Sequence, residues 1–188
     1  MSSSVGRPAP VSNPRTRLTL ASIAVAFAAA DTYVVVLALP DMMAGVGLSA
    51  DELQRAAPII SGFLLGYIAV LPLIGRIADV VGRTPVLVGA LLLFAVGSLI
   101  TAGAYDLPLV VTGRFLQGVG GGGLVPATLA LVADLWPAER RGLPLGVVGA
   151  VQELGAVLGP LLGAAVSAFL AALVAALLLG RRGVVHTS

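Results

Sequence analysis

Leu18-Thr19-Leu20-Ala21-Ser22-Ile23-Ala24-Val25-Ala26-Phe27-Ala28-Ala29-Ala30-Asp31-Thr32-Tyr33-Val34-Val35-Val36-Leu37-Ala38-Leu39 contains a single charge, Asp31, in 22 residues. A helix needs about 20 predominantly apolar residues to cross the hydrocarbon core of a bilayer. A helix also satisfies its own backbone hydrogen bonds in lipid, whereas the run is too long and alternates too poorly for a barrel strand. The stretch therefore reads as a membrane-spanning helix. A carboxylate inside such a span is costly, so Asp31 marks either a functional group or a charge held by another helix.

Working outward, further apolar windows of spanning length occur at about 56–74, 85–102, 107–133 and 144–163, with a last one at 165–180. The expected fold is all-α, a polytopic membrane bundle of six helices or, on a shorter count, five. The ambiguity lies at the end. From Leu145 to Leu179 the chain is apolar apart from Gln152, Glu153 and a few hydroxyls, roughly 52 Å of helix, too long for one span and tight for two. Charge balance favours six, because Arg181 and Arg182 then share a side with the other arginine-rich connections.

Composition agrees. Hydrophobic residues make up 58% of the 188 and the mean hydropathy is +1.04, leaving too little polar surface for a soluble globule. With no cysteine, disulfides, thiol chemistry and thiolate metal sites are excluded. The net charge of +2 derives from arginine alone, scattered between spans, so a nucleic-acid surface is not expected. Residues 1–17, rich in Ser, Pro and Arg, are expected to form a disordered cytoplasmic N-terminus, and 181–188 a short tail. A cleaved signal peptide is the alternative for this run, since Arg15 and Arg17 precede it and Ala28, Ala29 and Ala30 resemble a cleavage site. The continuing apolar stretch and the later spans favour an uncleaved first helix. Arg7, Arg15, Arg17, Arg76, Arg83, Arg140 and Arg141 fall on one side of the membrane, expected to be the cytoplasmic side of a plasma membrane. Asp41, Asp51, Glu52 and Asp106 fall on the other, which sets the N-terminus inside.

Three ionisable side chains lie within apolar windows: Asp31, Arg114 and Glu153. At 1.5 Å per residue, Asp31 lies roughly 20 Å from the inner end of an outward-running helix and Arg114 roughly 10 Å from the outer end of an inward-running one. In a core about 30 Å thick these depths coincide, so the two are expected to be able to pair. Glu153, roughly 15 Å in, has no cation at its own depth. Charges that merely lock helices together are the structural alternative.

The connection Gly75-Arg76-Ile77-Ala78-Asp79-Val80-Val81-Gly82-Arg83-Thr84-Pro85 resembles the signature of the major facilitator superfamily between its second and third helices, matching at Gly75, Asp79, Gly82 and Arg83. Val80 and Thr84 replace an arginine and a lysine usual there, thinning the charge network. Arg114-Phe115-Leu116-Gln117-Gly118 looks like the family's fourth-helix motif, with Arg114, Gln117 and Gly118 as its carriers. Gly155-Ala156-Val157-Leu158-Gly159-Pro160-Leu161-Leu162-Gly163 looks like the fifth-helix antiporter motif, with Gly155, Gly159 and Gly163 on one face and Pro160 able to bend the axis. Asp31 to Pro40 resembles the first-helix motif of the fourteen-spanner drug:proton antiporter branch, with Tyr33 and Val36 replacing a threonine and an asparagine. Together with Gln152-Glu153-Leu154-Gly155 it looks most like a mycobacterial lipid-exporting group of that branch.

The resemblance implies the N-terminal half of a transporter that exports hydrophobic or lipid-like compounds or drugs in exchange for protons by alternating access. Asp31 and Glu153 would be the protonatable pair, with Arg114 modulating Asp31. Expected partners are a hydrophobic or lipid substrate, protons, membrane lipids, a second half-transporter or a second copy of the chain, and a lipoprotein. The plain Ala and Leu sequence after Gly163, where a Trp-Arg-rich segment is usual, raises the alternative of a truncated, non-transporting remnant or membrane interaction module that needs a separate second half. No enzymatic, cofactor or metal site is expected: the one histidine, His186, stands near the end, and Gly120 to Gly123 lack the Lys-Ser/Thr of a phosphate loop.

Overall fold

Helix boundaries follow local chemistry. In the computed structural model, which describes residues 13–183 and side chains as far as Ala165, α1 (Pro14–Gly45) starts where the Asn13 side chain accepts a hydrogen bond from the Arg15 amide at 3.1 Å, with proline in the first turn. It ends at a turn through Gly47, whose φ of 74° suits glycine. Before α2 (Leu53–Val81), the Glu52 carboxylate accepts from the Ser49 amide at 3.0 Å and the Ser49 hydroxyl at 2.9 Å, and pairs with Arg55. One residue, Gly82 at φ 98°, separates α2 from α3 (Arg83–Ala102). The Asp106 side chain caps α4 (Leu107–Leu135) by accepting from the Leu109 amide at 2.9 Å.

The last helix, α5, runs Gly142–Gly183 as one backbone element of 42 residues. Five helices among the described residues are long and apolar enough to cross a membrane, and the described residues contain no strand. The described residues are thus all-helical, with five separate long helices among them. The sixth span expected over 165–180 continues the backbone of α5, because no proline, glycine or charge between Gly163 and Leu179 interrupts the helix. The disordered segment expected before residue 18 and the tail expected after 180 fall mainly outside the described residues. Within them, α1 already begins at Pro14 and α5 continues to Gly183.

α4 is the central post. Of the most apolar stretch of α4, 61% is buried inside the bundle, against 11% to 33% for the other four spans. It packs closely on α2 and α3, while α5 packs on α1. Glycine makes each of these approaches close. A methyl group added at Gly118 would meet the Phe63 carbonyl of α2, and one at Gly120 would lie 2.5 Å from the Phe94 amide nitrogen of α3. On the other side, Gly155, Gly159 and Gly163 face Ala26, Ala30 and Val34 of α1 in matched steps of four. Small residues at helix contacts are the usual means of packing in lipid, where apolar burial supplies little drive between helices.

Candidate functional site: a buried ion pair and an open acid

Arg114 lies two turns into α4 with its side chain 2% exposed. Its Nη1 donates to Asp31 Oδ2 of α1 at 2.7 Å and to Gln117 Oε1 at 2.9 Å. The guanidinium carbon sits 4.5 Å from the centroid of the Phe63 ring, where the ring quadrupole favours a cation. Arg114 Nε is buried and has no hydrogen-bond partner among the described residues. Gln117 extends the cluster, donating through Nε2 to Ser98 Oγ at 2.8 Å and weakly to Asp31 Oδ1 at 3.4 Å, and accepting from Thr101 Oγ1 at 3.3 Å.

The structure therefore brings Asp31, Arg114 and Gln117 together, with α3 supplying two hydroxyls. Ser98 and Thr101 escaped the sequence reading. They stand three apart on an apolar helix and so share a face, which is the signal that finds them. Asp31 is a quarter exposed, and with Asp41, Ser98 and Thr101 it lines a cleft of about 430 Å³ between α1, α3 and α4.

Glu153 is elsewhere. It is exposed on a separate cleft of about 220 Å³ between α1, α2, α4 and α5, beside Gln152, Thr32, Tyr33, Phe63 and Tyr67. It has no ion-pair partner among the described residues. Asp31 and Glu153 are thus not in one cluster: Asp31 faces the first cleft while its neighbours Thr32 and Tyr33 face the second, a helical step of about 100° apart.

At the α2–α3 turn, Asp79 pairs with Arg83 at 2.6 Å, and Arg83 also reaches Asp134 at the end of α4 at 3.4 Å. Asp134 lay one residue beyond the expected fourth window and was missed. Gly82 supplies the positive φ, and Gly75 lies in open space. Arg141, likewise missed, donates to the Trp136 carbonyl at 3.0 Å and the Ala133 carbonyl at 2.7 Å, closing the C-terminus of α4. A basic residue just past an apolar helix is the sequence signal for such a cap.

These features define a multi-pass helical membrane protein with a charged lock between its first and fourth helices. A family model described as Major Facilitator Superfamily matches residues 21–181, and the chain belongs to that superfamily, a family of transporters and not of enzymes. More particularly, it is 51% identical over 148 residues to a triacylglyceride transporter of Mycolicibacterium smegmatis, covering 79% of this chain and 26% of that protein. It is 52% identical over 139 residues to a triacylglyceride transporter of Mycobacteroides abscessus, covering 74% and 27%. To a probable triacylglyceride transporter of Mycobacterium leprae it is 46% identical over 149 residues, covering 78% and 29%. The chain spans between a quarter and a third of the length of these curated relatives.

Proposed function

We propose that the chain supplies the N-terminal helices of a proton-coupled exporter of hydrophobic or lipid-like compounds, working by alternating access. The observation that carries this reading is the Arg114–Asp31 pair, an ion pair with its cation 2% exposed inside a membrane bundle. A carboxylate held mainly by a buried guanidinium can exist in two states. Ionised, Asp31 ties α1 to α4; protonated, it no longer balances the charge, and Arg114 keeps Gln117 and the Phe63 face as partners. The proton thereby alters the contact between two helices, the kind of bistable element that alternating access needs. Glu153 is the second acid of the reading, in a cleft of mixed aromatic and polar lining suited to an apolar cargo with a polar end. The names of the relatives support a triacylglyceride-like cargo.

In this reading the fourth-helix motif of Arg114, Gln117 and Gly118 forms the lock. The antiporter motif of Gly155, Gly159, Pro160 and Gly163 holds α5 against α1. The loop motif of Gly75, Asp79, Gly82 and Arg83 fixes the α2–α3 turn. The protein resides in the cell membrane with its N-terminus in the cytoplasm, as the arginine distribution supports. A second half-bundle, a second copy or a lipoprotein completes the assembly.

The test is uptake of a fluorescent lipid into everted vesicles under an imposed proton gradient, with the chain expressed alone and together with a second half-bundle. Protonophore-sensitive uptake that falls to background in Asp31→Asn and in Glu153→Gln is expected. Uptake unchanged by both substitutions refutes the assignment. A second reading, an interaction module inactive without its second half, draws support from the exposure of Glu153 on an open cleft. It predicts uptake in the co-expressed sample only.

A further inference from the structure

Four of the arginines in the described region are engaged through their side chains with acids or carbonyls: Arg55 with Glu52, Arg83 with Asp79 and Asp134, Arg114 with Asp31, and Arg141 with the end of α4. Arg15 and Arg140 have no ion-pair partner among the described residues, yet both line one cleft of about 560 Å³ between the start of α1 and the α4–α5 connection. One acid, Glu139, shares the cleft without pairing to either guanidinium, so the positive charges outnumber the negative. The rest of the wall is of a different kind. Leu18, Leu143 and Val147 are apolar, Leu143 is 81% exposed, and Trp136 stands beside them.

We propose that this cleft binds the headgroup of an anionic phospholipid, with Arg15 and Arg140 on the phosphate and the leucine and valine wall along the first methylenes of an acyl chain. The cleft lies at the end of the bundle that carries the α2–α3 and α4–α5 connections, where the spans leave the hydrocarbon. Tryptophan at that level is the side chain that favours the interface, and arginine near it attracts anionic lipid. The apolar wall selects between sources of phosphate. A free phosphate ion would leave Leu18, Leu143 and Val147 uncovered, whereas a lipid covers both halves of the site. A bound lipid would tie α1 to the α4–α5 connection at the opposite end of α1 from its Gly47 turn. The site is independent of the transport reading, since neither arginine belongs to the charge lock.

The test uses the full chain purified in a neutral detergent and exposed to equal amounts of phosphatidylglycerol and phosphatidylcholine, with retained lipid read by native mass spectrometry. An arginine beside an anionic surface contributes about a fivefold preference, so the pair is expected to favour phosphatidylglycerol about twenty-fivefold. Arg15→Gln and Arg140→Gln are each expected to lower that preference about fivefold and their combination to abolish it, while Arg15→Lys and Arg140→Lys retain most of it. Arg76→Gln, the same charge change at an exposed position outside the cleft, is expected to leave it unchanged. Should the double variant fail to fold, the single and lysine variants carry the test. The proposal is overturned by an undiminished preference in the Gln variants, or by an equal drop in Arg76→Gln, which would mean diffuse charge. Displacement of the lipid by inorganic phosphate alone would assign the cleft to a free anion and likewise overturn it.

Discussion

α4 and α5 are both glycine-faced helices carrying one mid-membrane charge, and the bundle treats them oppositely. α4 is enclosed by α1, α2 and α3, and its charge, Arg114, is buried with a carboxylate, an amide and an aromatic face around it. α5 lies mainly against α1 alone, and its charge, Glu153, faces an open cleft. An enclosed charge must be compensated inside the protein; an open one can wait for a proton or a ligand. The contrast separates a charge enclosed by protein from one left open to a cleft.

The largest effect that would break this contrast is at the lock. Arg114→Leu leaves Asp31 without its cation, and breaking a buried pair costs about 3–5 kcal/mol, toward the lower end here because Asp31 is partly exposed. The double variant Asp31→Leu with Arg114→Leu is expected to recover most of that loss, as thermal melting in detergent would show. Glu153→Gln is expected to change stability by less than about 0.5 kcal/mol in the same assay, since the side chain is exposed and has no ion pair.

Gly118→Ala drives a methyl group into the Phe63 carbonyl and is expected to destabilise by about 1–3 kcal/mol. Gly163→Ala meets only the Val34 side chain at 3.3 Å, which can shift, so its melting temperature should stay near that of the parent. Gly155→Ala, whose methyl would meet the Ala26 carbonyl, is expected to cost as much as Gly118→Ala, and a comparable loss at Gly163 would show that α1–α5 packing stays that tight along its whole length.

Much of the fold was legible because apolar windows of spanning length leave the helix as the one backbone state lipid permits. The Asp31–Arg114 pairing was legible for a related reason: rise per residue fixes depth, and both residues lie at one level. Depth says nothing about azimuth. That is why Asp31 and Glu153, grouped together from the sequence, face different clefts, and why Ser98 and Thr101 passed unnoticed among the leucines of α3. The sequence left five or six spans open because an unbroken Ala and Leu stretch satisfies a long helix as readily as a hairpin. Asp134 and Arg141 join contacts that depend on how helix ends meet, which windowed hydropathy does not encode.

The smallest expected effect lies outside the membrane. Hydrogen bonds from the Ser49 amide, from Arg55 and from the Ser49 hydroxyl lower the Glu52 carboxyl to about 2 from its ordinary 4.5. A carboxyl depressed in the folded state stabilises fully above its unfolded value and loses that contribution as the pH falls toward the folded one. Melting temperature is therefore expected to fall slightly between pH 4.5 and 2, and Glu52→Ala should remove that portion of the acid dependence.

Gly82 leaves α2 and α3 no slack. With a single residue between them, the two helices reverse direction at once and both turn their main contact surface to α4 rather than to each other. A side chain at this position would oppose the left-handed φ of 98°, so the seating of two helices on one post rests on the smallest residue in the chain.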